Sequence, residues 1–165
     1  MSVFAGIENV EVFGGSQNMR AGDHVVKINQ IITHQSRAKS GVVYMIAEVE
    51  VIESIGGRAT TAKEVGDPIL SIPHAAGETL SWLVDLTQDM GKSNARGFGL
   101  AVAKAMAKRD GLDPSPIRIK AITIPVMEEL VSPEQPARGV TLRADAFMIL
   151  TRAGNDFTRV IWRAA

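Results

Sequence analysis

The side chains best placed to bind a ligand are cations and a few aromatic rings on segments with strand-like patterns. Neutralising phosphates requires lysine or arginine, and stacking on a base requires an exposed ring. Lys27 is out of phase with the apolar Val26 and Ile28, and Tyr44 is out of phase with the apolar side of its own segment. The candidates for contact with a phosphate backbone and its bases are Lys27, Arg37, Lys39, Tyr44, Arg143, Arg152 and Arg159.

Two C-terminal segments divide their side chains between opposite faces. Arg143 and Phe147 share one alternation set with Asp145, and Phe147 is more readily interpreted as a core residue than as a stacking platform. Arg159 and Arg163 share a set that excludes Trp162. We therefore expect the two arginines to make contacts, and Trp162 to lie in the core or in a dimer interface. The alternative is that these side chains have no binding role: Lys27, Arg37 and Lys39 would be solvated, and Tyr44 would be a half-buried residue of an ordinary sheet.

Catalytic and metal chemistry finds little support in the sequence. His24, His34 and His74 are scattered, without the paired spacing of a metal site, and there is no cysteine. The Gly-Lys-Ser at 91–93 lacks the upstream glycine of a phosphate-binding loop. We expect a protein that is not an enzyme and that uses no cofactor and no metal.

Composition indicates one domain spanning residues 1–165. With 45% hydrophobic residues the chain can bury a core without disulfides. Lysine plus arginine equals aspartate plus glutamate at 18 each, so binding to a polyanion would need a local basic patch. No apolar run approaches the ~20 residues of a membrane span. We expect a soluble, cytoplasmic protein with no membrane partner.

The positioning elements form two hairpins around a helical insertion. Residues 25–32 and 42–53 predict the first hairpin, with a turn at 35–41 that carries Arg37 and Lys39, and residues 69–72 predict a third strand. Residues 140–150 and 157–163 predict the second hairpin.

The insertion between the hairpins, about 78–134, is predicted to be mainly helical. Apolar spacing indicates helices at 78–86 and 98–109, separated by a break at 91–94. A short strand at 117–124 and a helical turn at 126–131 follow. The fold class is therefore mainly β with a helical insertion (α+β): a five-stranded, OB-fold-like Greek-key barrel with helices between strands three and four.

Several segments together resemble phage-encoded OB-fold single-stranded DNA-binding proteins. They are residues 22–32, Tyr44-Met45-Ile46-Ala47-Glu48, Pro136-Ala137-Arg138-Gly139, Thr151-Arg152-Ala153-Gly154, residues 157–160 and Trp162. The resemblance implies sequence-independent coating of single-stranded DNA during phage replication or recombination, in the bacterial host cytoplasm. Replication or recombination proteins are the implied partners, and we expect a homo-oligomer.

Two other classes of protein remain open. The near-neutral composition also suits a phage structural or assembly protein that self-associates without nucleic acid. A small hydrolase or nuclease that uses scattered acids and a metal is the third and most distant possibility. One fold hosts many functions, so the fold alone does not choose between these classes.

Overall fold

A computed structural model describes residues 17–55, 72–150 and 156–165. A six-stranded sheet and two helices make up these parts of the chain. A short 3-10 turn at Ile119–Ala121 lies between the helices. The elements are β1 Gln17–Asn18, β2 Gly22–Gln35, β3 Val43–Ile55, β4 Thr79–Asp85, α1 Asp89–Arg109, α2 Ile124–Leu130, β5 Thr141–Leu150 and β6 Asp156–Ala164.

The sheet has the strand order β1-β4-β3-β2-β5-β6. The five long strands are antiparallel to their neighbours, and β1 alone pairs in parallel, with β4. Both predicted hairpins are confirmed, as β2 with β3 and as β5 with β6. Both helices lie between β4 and β5 in the chain. The protein is therefore mainly β, within the α+β class, as the sequence predicts.

One face of the sheet packs against α1 and forms the core. On β2, Val26, Ile28 and Ile31 are fully buried. The step from 28 to 31 breaks strict alternation because the register shifts between Ile28 and Gln30, as in a β-bulge. The opposing strands and α1 supply the other core residues: Met45, Ala47, Val49, Val51, Leu80, Val84, Phe98, Val102, Leu142, Ala144 and Ala146.

Three aromatic rings connect β4 and β6, the two end strands of the antiparallel part of the sheet, through α1. Trp82 on β4 and Trp162 on β6 lie 5.3 Å apart between ring centroids. Phe98 on α1 contacts both, at 5.2 Å from Trp82 and 5.0 Å from Trp162. Within the described residues β4 and β6 share no backbone pairing. The sheet is thus open along its hydrogen bonds, yet it curves enough for its end strands to meet through side chains.

The predicted helix at 78–86 is wrong, because this segment is strand β4. Leu80 and Val84 are buried on the core face, whereas Leu83 is 45% exposed on the other face. Clustered leucines and valine fit helical spacing as well as alternation, so the period was ambiguous over so short a run. Pairing with β3 from Tyr44 to Glu50 selects the strand.

The predicted break at 91–94 is also wrong, since α1 runs unbroken through these residues. A glycine is needed at position 91 because the backbone of α1 approaches β4 closely there, and not because the chain turns. A Cβ at this position would lie 1.8 Å from the backbone oxygen of Asp85, the last residue of β4. The glycine therefore lets the first turn of α1 pack directly on the strand that precedes it.

One shorter predicted strand, at 117–124, is not observed. Residues 117–124 form the 3-10 turn and the start of α2, because Pro125 at the first turn favours a helix start there. The helical turn predicted at 126–131 is confirmed by α2. Of the strand predicted at 69–72, residues 69–71 lie outside the described residues and Ile72 is in no strand. Within the described ranges, the third long strand is β4.

The segment before β5 continues the pairing of β2 without being a strand itself. Gly139 donates its backbone N–H to the Ile28 oxygen at 2.8 Å, and Ile28 donates to Val140 at 2.9 Å. Further along, the Gln135 side chain accepts from the Ile31 N–H and donates to the Ile31 oxygen, both at 2.7 Å. One buried amide thus replaces a backbone partner and fixes residues 135–140 against the bulge.

Candidate functional site

Four of the seven predicted contact residues lie on the same side of the sheet, opposite the core. This side is called the outer face, and it carries Lys27, Tyr44, Arg143 and Arg159. Lys27, Tyr44 and Arg143 are each adjacent in sequence to a buried residue that faces the core. Arg159 lies on the side of β6 opposite the buried Trp162. The alternation of the sequence therefore placed them on one surface.

The two hairpin-tip cations extend this surface at one end. Arg37 and Lys39 are exposed in the connection between β2 and β3. The connection is held by a bond from the Ser36 N–H to the Val42 oxygen at 2.8 Å, and Gly41 adopts a φ of 79°. The remaining predicted residue, Arg152, lies outside the described residues, in the connection between β5 and β6.

Strand register arranges the outer face as a strip along β2. Tyr44 lies opposite His34 near the hairpin tip, and Lys27 lies opposite Glu50 near the middle. Arg143 pairs with Val25 at the other end of β2. The interval from Val25 to His34 corresponds to about 30 Å at ~3.3 Å per residue. The predicted residues are therefore spread along a track rather than gathered around a point.

Carboxylates on neighbouring strands partly neutralise two of these cations. Lys27 Nζ lies 3.2 Å from Glu50 Oε2, and Arg143 Nε lies 3.3 Å from Asp23 Oδ1. The Lys27–Glu50 pair is solvent-exposed, and such pairs contribute about 0–1 kcal/mol, so a phosphate can compete for Lys27. The Asp23 oxygen that pairs with Arg143 is itself buried. Both carboxylates weaken the positive potential of this part of the face.

The most cationic part of the outer face lies on β5 and β6. Arg143 and Arg163 are directly opposite each other, and all three exposed arginines, Arg143, Arg159 and Arg163, form what is called the arginine patch. Within the described residues Arg159 and Arg163 make no hydrogen bond or ion pair. Like charges directly opposite in a sheet are unfavourable, so an anionic ligand would relieve this arrangement.

Phe147 lies beside this patch rather than in the core, so the preferred interpretation of its role was wrong. It is half-buried, is opposite Arg159 and shares a face with Arg143. The neighbouring Ala146 and Ala144 take the core positions of β5. The expectation of a core position for Trp162 is confirmed by its 8% exposure and its ring contacts.

A cavity of about 510 Å³ on the outer face contains residues that sequence reasoning did not select. Glu48 is 8% exposed, and its Oε2 accepts a bond of 2.7 Å from Gln30 Nε2. Its Oε1 is buried and has no hydrogen-bond partner among the residues that the structure describes. Arg138 lines the same cavity and donates from Nε to the Asn29 oxygen at 3.0 Å. Alternation marks Glu48 as outward-facing, but the cavity depends on the bulge beside it.

His24 on β2 and His74, which precedes β4, are far apart in the sequence but lie side by side in the structure. The His24 and His74 rings are 5.2 Å apart between centroids. His24 contacts Ser54 Oγ through Nδ1 at 2.7 Å and the Arg20 oxygen through Nε2 at 2.8 Å. Both ring nitrogens of His24 are thus already engaged with protein partners, and the pair is interpreted as structural.

His74 is held in a fixed tautomer by its own partners. Its Nε2 accepts from the Arg20 N–H at 2.9 Å, so its Nδ1 carries the proton that is donated to Glu78 Oε2 at 2.7 Å. Burial lowers the pKa of His74 below the usual 6.5, and this outweighs the bond to Glu78, which raises it. The same bond lowers the pKa of Glu78. A neutral imidazole beside a carboxylate is therefore the stable state.

A second cavity, of about 560 Å³, lies between the helices and the end of the sheet. Its lining is mostly apolar and includes Met45, Ile122 and Met127, with Lys92 and Arg96 among the polar residues. The Arg96 guanidinium is used in part to bond the Ile122 oxygen at 3.0 Å. This cavity lies on the core side of the sheet, and none of the predicted contact residues of the outer face lines it.

The described residues contain no group of three or more potential metal ligands. In the same ranges, none of the helices has the length and apolar character needed to cross a membrane. Comparison with known proteins found no protein-family model that matches the chain and no match among curated proteins.

Proposed function

We propose that this protein binds single-stranded DNA on its outer face without requiring a particular sequence. The observation that carries the proposal is the arginine patch with Phe147 beside it, on a face that also carries Lys27 and Tyr44. Cations along a track and exposed rings are the two features that sequence-tolerant single-strand binding needs. Replication or recombination in a phage-infected cell is the setting that the sequence resemblance suggests for this activity.

The strand order supports an OB-fold-like architecture. Four consecutive long strands have the spatial order β5-β2-β3-β4, with a long helical connection before β5. A Greek key has this order, in which the fourth strand returns beside the first. The contact between Trp82 and Trp162 supports a partly open barrel with α1 at its seam. In OB-folds the connection between the first two strands borders the ligand, which favours a role for Arg37 and Lys39.

The proposed division of labour follows from charge and from position on the outer face. The exposed Arg143, Arg159 and Arg163 contact phosphates, and the half-buried Phe147 and Tyr44 offer the accessible parts of their rings to bases. Each stacked base contributes about 1–3 kcal/mol in such complexes, so two rings suffice only for a short occupied stretch. We also propose that the protein works as a homo-oligomer, because repeated subunits along one strand would add such short stretches together.

The test is fluorescence anisotropy with a labelled oligothymidine at low and moderate salt, beside a duplex of equal length. We expect salt-sensitive binding to the single strand and much weaker binding to the duplex. The double variant Arg159→Ala/Arg163→Ala should flatten the slope of log affinity against log salt by about 1.4, because each phosphate neutralised on a single strand contributes about 0.7.

A matched control removes two cations from the helical insertion. Lys104→Ala/Lys120→Ala changes the net charge equally but leaves the outer face intact. Its salt slope should stay close to that of the original protein. Absence of single-strand binding at low salt would reject the proposal and make self-association in a phage structure the leading alternative, which light scattering across a concentration series then tests.

A further inference from the structure

We infer that the cavity between the helices and the end of the sheet binds an amphipathic carboxylate, meaning an alkyl chain that ends in a carboxylate group. This cavity, called the helix cavity, has a volume of about 560 Å³. Small-molecule sites in proteins have volumes of about 300–1,000 Å³. None of the predicted contact residues of the outer face lines the helix cavity, so the inference is independent of DNA binding.

The apolar part of the lining suits an alkyl chain. It includes Met45, Leu86, Ala95, Ile122, Met127 and Val131. The two methionines have unbranched, flexible side chains that adapt to an irregular ligand. Ile124 also lines the cavity and is 75% exposed, so the apolar surface extends to the cavity mouth. An alkyl chain placed here would remove apolar surface from water on both the ligand and the protein.

A nucleobase or a sugar is a poorer match for this lining. Among the described residues that line the cavity, Thr33 and Thr123 supply the uncharged polar side chains. A base or a sugar carries several hydrogen-bond donors and acceptors, and two hydroxyls satisfy few of them. Polar groups that lose water without gaining a partner reduce affinity. The body of the ligand is therefore apolar.

Two cations on α1 supply a site for the carboxylate. Lys92 and Arg96 both line the cavity and are four residues apart on the helix, which places their Cβ atoms about 5–6 Å from each other. Arg96 donates from Nε to the Ile122 oxygen at 3.0 Å, which orients its guanidinium group. Within the described residues, its terminal nitrogens and the Lys92 ammonium make no hydrogen bond or ion pair. One carboxylate can accept hydrogen bonds from both side chains.

Glu128 is the acidic residue of the lining. It is exposed on α2 and, in the part of the chain that the structure describes, forms no ion pair with Lys92 or Arg96. The two cations are therefore not neutralised by it, and two cations with one carboxylate leave the lining with a formal charge of +1. Removing Glu128 should strengthen binding of an anion, whereas removing Lys92 should weaken it.

The experiment is isothermal titration calorimetry of the protein with dodecanoate at pH 7.5, below the concentration at which dodecanoate forms micelles. We expect saturable binding of one molecule per chain. Octanoate should bind about tenfold more weakly or worse, because each buried methylene adds affinity. Dodecyltrimethylammonium has an equally long alkyl chain but a cationic head. It should also bind about tenfold more weakly or worse, because its head would face two like charges.

Two exposed charges of the lining are varied in opposite directions. Lys92→Gln should weaken dodecanoate binding about threefold, and Glu128→Gln should strengthen it about twofold, as expected for solvent-exposed charges. The matched controls are Lys104→Gln on α1 and Glu129→Gln on α2, because neither residue lines the cavity. Both controls should keep the original affinity.

Thermal unfolding provides a second measurement of the same site. Dodecanoate that occupies a cavity of the folded protein should raise the unfolding midpoint. A lowered midpoint would show that dodecanoate prefers the unfolded chain, and this would overturn the inference. So would the absence of saturable binding, equal binding of dodecanoate and dodecyltrimethylammonium, or equal affinity of the Lys92 and Glu128 variants and their controls. None of these outcomes depends on whether the protein binds DNA.

Discussion

The indole rings of Trp82 and Trp162 meet at 5.3 Å, although their strands lie at opposite ends of the five-strand antiparallel order. Backbone hydrogen bonds do not make this connection within the described residues. It depends instead on three rings, since Phe98 of α1 contacts both indoles. Helix and sheet are therefore coupled at one aromatic cluster, and the curvature of the sheet depends on how well that cluster packs.

Removing Phe98 should be strongly destabilising. Phe98 is 1% exposed, and truncation of a buried phenylalanine costs about 3–5 kcal/mol through lost burial and the cavity that remains. We expect Phe98→Ala to lower the free energy of unfolding by that amount in urea titrations followed by circular dichroism. Ile161→Ala is the control, because Ile161 is 39% exposed on the outer face, and its loss should stay below about 1 kcal/mol. Similar losses for both variants would contradict a central role for the cluster.

Two glycines of α1 should respond to alanine in opposite directions. At Gly91 a Cβ would collide with the Asp85 oxygen, so Gly91→Ala must displace the helix from β4 and should destabilise by roughly 2 kcal/mol or more. At Gly97 nothing lies within 4 Å of the added atom, so Gly97→Ala should stabilise the helix by about 0.5–1 kcal/mol. Thermal unfolding measures both. A harmless Gly91→Ala would refute the close approach.

Stability should fall on mild acidification because of His74. Its pKa is lowered in the folded state, so the unfolded chain binds the proton first as pH falls below about 6.5. The neutral His74 ring therefore contributes its full stabilisation above about pH 6.5. This stabilisation declines as the pH falls below 6.5, and the decline stops once the pH is below the pKa that His74 has in the folded protein. One proton limits the slope to about 1.4 kcal/mol per pH unit. The charged or titratable groups facing His74 are Arg20, His24 and Glu78.

Urea titrations from pH 8 to pH 5 measure this dependence, and His74→Gln should reduce its slope in that range. His34→Gln is the control, since His34 lies on the outer face of β2 and outside the buried pair. The lowered pKa of Glu78 adds a separate loss of stability only below about pH 4.5. A His74→Gln variant with the original slope would exclude His74 as the source.

Removing both hairpin-tip cations should weaken DNA binding without unfolding the protein. Arg37 and Lys39 are exposed in a short connection, so Arg37→Ala/Lys39→Ala should change stability by less than about 0.5 kcal/mol. We expect lower affinity for oligothymidine and a flatter salt slope in anisotropy titrations. Unchanged binding would remove the hairpin tip from the proposed track and leave the arginine patch as its main cationic part.

Local alternation was enough to predict the hairpins and the face on which most candidate residues lie. It worked for β2, β3 and β5 because each has a buried side of Val, Ile, Met, Leu or Ala along several residues, and for β6 because the exposed Arg159, Ile161 and Arg163 alternate with Val160 and the buried Trp162. It failed for 78–86, where only seven residues form the strand and the apolar residues also fit a helix. Pairing with β3, a contact distant in the chain, decided the outcome there.

The detail of the site was less predictable because it depends on register between strands. The Lys27–Glu50 pair joins residues that are directly opposite, whereas Arg143 is opposite Val25 and reaches Asp23 diagonally. Bulges also shift the register between β2 and β3 near Val25 and Ile28. The Glu48 cavity likewise needs the bulge and the docking of Arg138. A single sequence gives the side of a strand on which a residue lies, but it does not give its partner across the sheet.

The Gln135 side chain has a consequence for how this domain can vary. Since one side-chain amide completes the backbone bonding of Ile31, Gln135 sets the point at which the chain re-enters the sheet on its way to β5. The helical insertion ahead of Gln135 does not vary freely as a unit, because Phe98 and Gly91 hold α1 against the sheet.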